Sequence, residues 1–243
     1  MDKKQKQALL WFLWGMALLL ALLAAFVPQP EGTVPTSAPQ SPGGYVALTF
    51  DDGPWPGTTD TLLDGLARRG VKATFFLVGN QIESQTDTVR RMADAGHQIG
   101  IHAWDHVQLE GLTQEETRDQ LDRCRAVLTD LLGPVDCMIR PPYGFVDDNL
   151  KAWADAPIIC WDVDTLDWQD KDPNRILQTI LTETRDGSVI LMHDIFPTSV
   201  EAALRAVDAL MERGFRLVTL EELFFLRGIT PEKGQVYLSL SPP

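Results

Sequence analysis

Cysteine is scarce in this chain of 243 residues, with three in all, at positions 124, 137 and 160. So small and odd a number excludes a disulfide framework, although Cys124 and Cys137 could pair outside a cell. Cys160 stands in an apolar, strand-like run and reads as a small buried hydrophobe. No Cys-x-x-Cys or Cys-His pairing points to a thiolate metal site or a thiol nucleophile. Positive charge is also short: 21 Lys and Arg stand against 34 Asp and Glu, a net charge of −13. The first 27 residues carry three lysines against Asp2, a net +2, which leaves −15 on the remainder. Such an excess argues against a nucleic-acid partner, because phosphate binding needs a basic surface, and its plain meaning is solubility. No Gly-rich dinucleotide fingerprint follows the first strand-like run, which argues against a nucleotide-binding open sheet. Histidine is rare too, with four residues, and where three of them lie carries the argument below.

The N-terminus is a separate object. Lys3, Lys4 and Lys6 precede an uncharged run from Ala8 to Val27, 20 residues long. As a helix this run rises about 30 Å, enough to cross a bilayer core. A cleavable secretory signal has a shorter apolar stretch and a small-x-small site, and Ala24-Ala25-Phe26-Val27-Pro28 matches such a site poorly. Residues 1–27 therefore read as a cytoplasmic stub and an uncleaved transmembrane signal anchor, with secretion after cleavage as the alternative. The positive-inside rule places everything after Val27 outside the cell membrane. Pro28 to Gly44 holds five of the 16 prolines and almost no large apolar residues, so 28–44 reads as a semi-extended linker. A single domain is expected over 45–228, monomeric, with 229–243 as a C-terminal tail.

From Tyr45 onward, β-prone runs alternate with helix-like stretches. Strands are expected at 45–50, 73–78, 98–101, 137–139, 157–161, 188–192 and 215–219, and helices near 59–69, 84–95, 114–131, 147–155, 173–185, 199–213 and 220–226. Thr113 followed by Glu116 is a capping-box start, and Gly70, Gly96, Gly133 and Gly214 mark ends. That rhythm implies parallel strands flanked by helices, as an open sheet or a closed barrel.

Five polar clusters select the barrel. They are Thr49-Phe-Asp51-Asp52-Gly53-Pro54, His102-Ala-Trp-Asp-His106, Arg140-Pro-Pro-Tyr143-Gly144, Asp164-Thr-Leu-Asp167-Trp168 and Leu191-Met-His193-Asp194. Each begins at or just after the end of an expected strand, and in a barrel all such ends converge on one face. The i, i+4 spacing of His102 and His106 would let one helical turn aim both imidazoles at one ion. Taken alone the pair is a weak signal; the strand end before it strengthens it. Adjacent carboxylates at Asp51 and Asp52 repel unless a cation or proton lies between them. One of them completes a His₂-carboxylate zinc set with an open position, and the other is free to act as a base. Arg140 sits in a rigid Pro-Pro turn that presents one fixed guanidinium. Each cluster has a plain reading as well: an Asp pair in a turn, a surface ion pair, a core histidine. All five plain readings holding together is improbable. His97, at a Gly-His turn, reads as structural.

Together the clusters resemble those of the polysaccharide deacetylase family, carbohydrate esterase family 4, over roughly Tyr45 to Leu226 and in the family's order. The resemblance implies a distorted (β/α)₇ barrel that hydrolyses acetyl groups from N-acetylated polysaccharide. It implies Asp51 as catalytic base, and Asp52, His102 and His106 as ligands of a divalent metal, usually Zn²⁺, with Co²⁺ or another ion possible. Arg140 would hold Asp51, and the backbone N–H of Tyr143 would face the oxyanion. His193 would be the general acid with Asp167 tuning it, while Trp168 and Leu191 would line the acetyl pocket. Peptidoglycan is the substrate that an anchored, wall-facing enzyme implies; chitin oligomers and acetylxylan are the near alternatives. Two departures stand out, and the first is Ile101 before the first histidine, where the family often has Asn. The family usually has Ser or Thr after the first histidine, and here it is Ala103, so a hydroxyl that orients the loop is missing and weaker metal binding is expected. Two other classes fit these residues less well. A non-catalytic glycan-binding domain would not need the retained Asp51, Asp52, His102, His106 and His193, and a two-carboxylate glycosidase would leave the histidines idle.

Overall fold

The apolar run after Gly43 forms β1 (Gly44–Asp51), in which every side chain from Val46 onward is buried. A strand covered on both faces reads as a continuous hydrophobic run rather than an alternation, as expected at the centre of a parallel sheet. A computed structural model describes residues 43–241. The expected anchor (1–27) and the linker up to residue 42 lie outside the described residues. Among the described residues no helix is long and apolar enough to cross a membrane.

The chain continues through α1 (Thr58–Arg69), β2 (Thr74–Leu77), α2 (Gly79–Ile82), α3 (Thr86–Asp94), β3 (Gln98–Ile101), α4 (Gln114–Leu132), α5 (Asp148–Trp153) and β4 (Ile158–Ile159). It ends with β5 (Val163–Asp164), α6 (Asp167–Asp170), α7 (Pro173–Glu183), β6 (Val189–His193), α8 (Pro197–Glu212), β7 (Phe215–Val218), α9 (Leu220–Arg227) and β8 (Val236–Tyr237). All ladders are parallel. The hydrogen-bonded order is β3-β2-β1-β6-β5, with β7 beside the first half of β1 and β8 beside β4. Ile139 makes one parallel bridge to Ile101 and one to Ile158, so a single residue joins β3 to β4.

Local chemistry explains several boundaries. The Thr113–Glu116 capping box is formed, with each partner satisfying the other's free amide, and a second one at Thr219 and Glu222 starts α9. Asp172 caps α7, whose first residue is Pro173. Phe50 stacks on Phe75 across β1 and β2, with ring centroids 5.2 Å apart, at the middle of the core.

Two expectations change, and one open pairing is answered. The strand at 137–139 shrinks to the bridges at Ile139, and the two prolines after Arg140, neither with an N–H to donate, keep a ladder from continuing beyond it. The stretch after residue 228, expected as a tail, carries β8 and buries Leu240, so it packs on the sheet. Cys124, Cys137 and Cys160 are all buried free thiols, and no disulfide forms between the first two.

Candidate metal centre and catalytic pocket

Because every strand is parallel, the C-terminal ends of β1, β3 and β6 and the residue after Ile139 lie on one side of the sheet. Asp51 is in register with His193. Asp52 then leaves the strand with φ 72°, a left-handed conformation that Asp tolerates better than most side chains. This turn separates the two adjacent carboxylates: Asp51 faces Arg140, and Asp52 faces the histidines.

His102 and His106 do converge, but not on a helical turn. Residues 102–106 form a loop in which Ala103 and His106 both have φ 61°. Two left-handed residues coil the chain tightly enough to bring the rings to a centroid distance of 5.0 Å. His102 Nδ1 lies 2.7 Å from the Arg140 carbonyl oxygen. A carbonyl only accepts, so Nδ1 carries the proton and Nε2 presents its lone pair to the pocket. That contact orients the ring where the family's hydroxyl is missing; the Ala103 carbonyl accepts from Gly79 N–H at 3.0 Å and fixes the loop from behind.

Asp52 Oδ1 lies 3.4 Å from His102 Nε2 and 3.1 Å from His106 Nε2, yet it is buried and makes no aligned hydrogen bond. One ligand atom from each of the three residues falls within 4.8 Å of the others. A buried carboxylate oxygen with no hydrogen bond, set between two imidazole nitrogens, is a seat for a cation, and two nitrogens with one oxygen suit zinc or a similar divalent ion. Burial would raise the Asp52 carboxyl, but the N–H groups that His102 and His106 turn towards it when protonated, with the charge of His193, outweigh burial and hold it well below the usual carboxylate range, so it stays an anion. The residues present therefore fit the metal.

Arg140 is the largest fully buried side chain. Its guanidinium donates to Asp51 Oδ1 at 2.8 Å, Thr49 Oγ1 at 2.7 Å, and the carbonyls of Ile159 at 3.1 Å and Cys160 at 3.0 Å. It also lies 4.2 Å over the ring of Phe76. Asp51 Oδ2 is 3.7 Å from His102 Nε2, beside the metal set.

On the opposite wall, Asp167 in the first turn of α6 is wholly buried. It accepts from His193 N–H at 2.8 Å and lies 2.7 Å from His193 Nδ1, so Nε2 faces the pocket, 4.0 Å from Asp52 Oδ2. Burial works against the imidazolium, but Asp167, with help from Asp51 and Asp52, raises the His193 pKa to about 9. Tyr143 takes φ 64° and sets its ring edge-on to His106 at 4.9 Å. Trp168 and Leu191 complete a cavity of about 400 Å³ that also includes Tyr143, Phe145, Trp161 and Asp164. His97 lies elsewhere, buried, with Nδ1 accepting from Ala73 N–H; burial takes its pKa down to about 4, which suits a neutral structural residue.

The profile of the family described as polysaccharide deacetylase matches residues 38–157. Over 186 residues the chain is 39% identical to a peptidoglycan-N-acetylglucosamine deacetylase of Bacillus cereus, covering 74% of this chain and 68% of that protein. The chain belongs to the polysaccharide deacetylase family. It is also 36% identical to the peptidoglycan-N-acetylmuramic acid deacetylase PdaC of Bacillus subtilis, covering 73% of this chain but only 38% of that longer protein. Among solved structures, the family 4 acetyl xylan esterase of Clostridium thermocellum, in complex with a cobalt ion, superposes with a TM-score of 0.77 at 32% identity, covering 80% of this chain and 98% of that one. The α/β fold with a parallel sheet is thus that of the family's solved members.

All ten residues expected at the site are brought to this one end of the sheet. Sequence reasoning gave no role to Thr49, whose hydroxyl donates to Ile190 O at 2.7 Å and accepts from Arg140, or to Phe145 and Trp161, which line the cavity. Thr49 was visible as the first residue of its cluster, two before Asp51 and so on the same strand face. The two aromatics carried no pattern.

Proposed function

We propose that this chain is a metal-dependent N-deacetylase acting on amino-sugar polymers of the cell wall, peptidoglycan first among them. The observation that carries the reading is the orphaned Oδ1 of Asp52 between two imidazole nitrogens, with Asp51 and His193 on either side of the same cavity. The family's metal dependence and the cobalt in the solved xylan esterase support it.

The ion would be held by Asp52, His102 and His106, most simply Zn²⁺, and supplies a Lewis acid for the acetyl carbonyl while bringing the pKa of water down towards ~7. Asp51, fixed by Arg140, accepts the proton as water adds to the acetamide carbon. The backbone N–H of Tyr143 stabilises the oxyanion that results. His193, kept protonated by Asp167, donates to the nitrogen as the C–N bond breaks, giving acetate and a free amino sugar. Trp168 and Leu191 exclude water around the acetyl methyl. The frame for this reading is a distorted seven-stranded barrel over 45–228, completed by the strand after it.

Because the curated relative of Bacillus subtilis is so much longer, its activity does not transfer whole. Chitin oligomers and acetylxylan remain a second reading, favoured by the esterase's likeness. The apolar run 8–27 supports a single-pass anchor with the domain outside. Mass spectrometry of peptidoglycan, chitin oligomers and acetylxylan after incubation with the metal-loaded chain tests the reading. Loss of one acetyl per sugar from peptidoglycan supports it, and inertness towards all three sinks it.

A further inference from the structure

Asp194 follows His193 and has no part in the chemistry above, yet its side chain is fully buried. No Lys, Arg or His among the described residues pairs with it. Its Oδ2 accepts from the hydroxyl of Thr59, near the start of α1, and that hydroxyl oxygen in turn accepts from Trp55 N–H at 2.8 Å. Its Oδ1 makes no hydrogen bond. A Cβ at Gly53 would collide with both carboxylate oxygens, so the group rests directly on the Gly53 backbone. Gly53 is the residue after Asp52, and its carbonyl is gripped from the other side by Val78 N–H at 2.9 Å.

A buried carboxylate oxygen without a partner costs free energy, and no stabilising ion pair here offsets that cost. What the group touches is the turn 53–59 that leaves Asp52. Asp52 itself is held at φ 72°, a left-handed conformation that Asp can adopt and that its surroundings help to keep.

We propose that Asp194 is a positioning residue: pressed on Gly53 and tied through Thr59 to Trp55, it fixes the turn that aims the Asp52 carboxylate at His102 and His106. This rests on the reading of those three residues as a metal set. The role is felt through Asp52, so it shows first in how tightly and in what geometry the ion is held.

The test uses the full chain loaded with Co²⁺, following its visible absorption and its retention against a chelator, with kcat and KM on N-acetylated chitin oligomers alongside. Asp194→Ala should lose ion retention by ~10–100-fold, the size typical of groups that orient a ligand, and alter the cobalt bands, with kcat falling more than KM changes. Asp194→Asn keeps the shape and an oxygen that can accept from Thr59, and should recover most of both. Thr59→Val removes one hydroxyl and should reproduce part of the loss without adding to that of Asp194→Ala, as for two members of one link. If Asp194→Ala does not fold, Thr59→Val decides alone. Wild-type retention and cobalt bands in the folded variants, whatever their melting temperatures, would overturn the positioning role, as would an Asp194→Asn no better than Asp194→Ala. A wild-type chain that holds no divalent ion would overturn the metal reading and this role with it; a wild type that holds it beside indifferent variants overturns this role alone.

Discussion

Asp51 and Arg140 form an ion pair at 2.8 Å in which neither side chain has appreciable contact with solvent. The guanidinium is neutralised on one edge and donates three of its other N–H groups to Thr49, Ile159 and Cys160, so the carboxylate has one fixed orientation.

Removing that guanidinium leaves Asp51 buried without compensation, and Arg140→Ala should cost ~3–5 kcal/mol in denaturant unfolding. Arg140→Lys should recover little of it, because a single ammonium cannot reach acceptors spread around a planar fork.

The three ligands make a prediction about metal content. His102→Ala or His106→Ala should strip the ion from the purified protein and abolish turnover, since two ligands hold a divalent ion far less firmly than three. Elemental analysis of His106→Ala checks it; wild-type metal content would remove that residue from the set.

For proton transfer, Asp51→Asn and His193→Ala should each cost roughly 10²–10⁴ in rate while the ion stays bound. The donor must be protonated, and His193 has its pKa raised to about 9, so rate should hold through neutrality and fall as pH rises past that value. Asp167→Asn removes the main group that raises it and leaves burial, which lowers it. The alkaline limb of the kcat profile should therefore move down in pH; an unmoved limb would assign that limb to another group.

Ala103 is buried with φ 61°, and the two substitutions that restore a hydroxyl should part company there. Ala103→Thr puts a β-branched side chain into a left-handed conformation and should weaken ion retention. Ala103→Ser is tolerated better, and because the Arg140 carbonyl already orients His102, it should gain little over the wild type in a chelator titration.

For the N-terminal segment, the full chain should sediment with membranes and resist release by high salt, because burial of 20 apolar residues in lipid exceeds any electrostatic attachment. Protease outside intact cells should cut within 28–42 and free an active domain. A new N-terminus near residues 26–29 in protein from the medium would instead indicate signal cleavage.

What could be seen in advance follows from length and period. Tyr45–Phe50 is legible because a buried central strand is a nearly continuous apolar run, and Gln98–Ile101, bounded by a Gly-His turn and His102, matches to the residue. The two-residue strands Val163–Asp164 and Val236–Tyr237 are too short to have a period, and they exist only because a neighbouring strand offers free hydrogen-bonding groups. At the site, residue types and spacing single out side chains that do lie together at one cavity, but an i, i+4 pair by itself suggests a helical turn. Sequence spacing does not reveal the left-handed backbone at Ala103 and His106 that does the work instead. The use of the Arg140 carbonyl to set the His102 tautomer was likewise invisible, since any residue has a carbonyl.

The burial of Cys124, Cys137 and Cys160 has a practical meaning. Burial pushes their thiols up, to about 12 for Cys124 and about 11 for Cys137, so the thiolate that reacts with oxidants and maleimides is almost absent at neutral pH. Thiols held in this way resist mixed-disulfide formation in an oxidising medium. A single cysteine introduced on its surface becomes the one reactive handle for fluorophores or spin labels, with no need to strip the native thiols first.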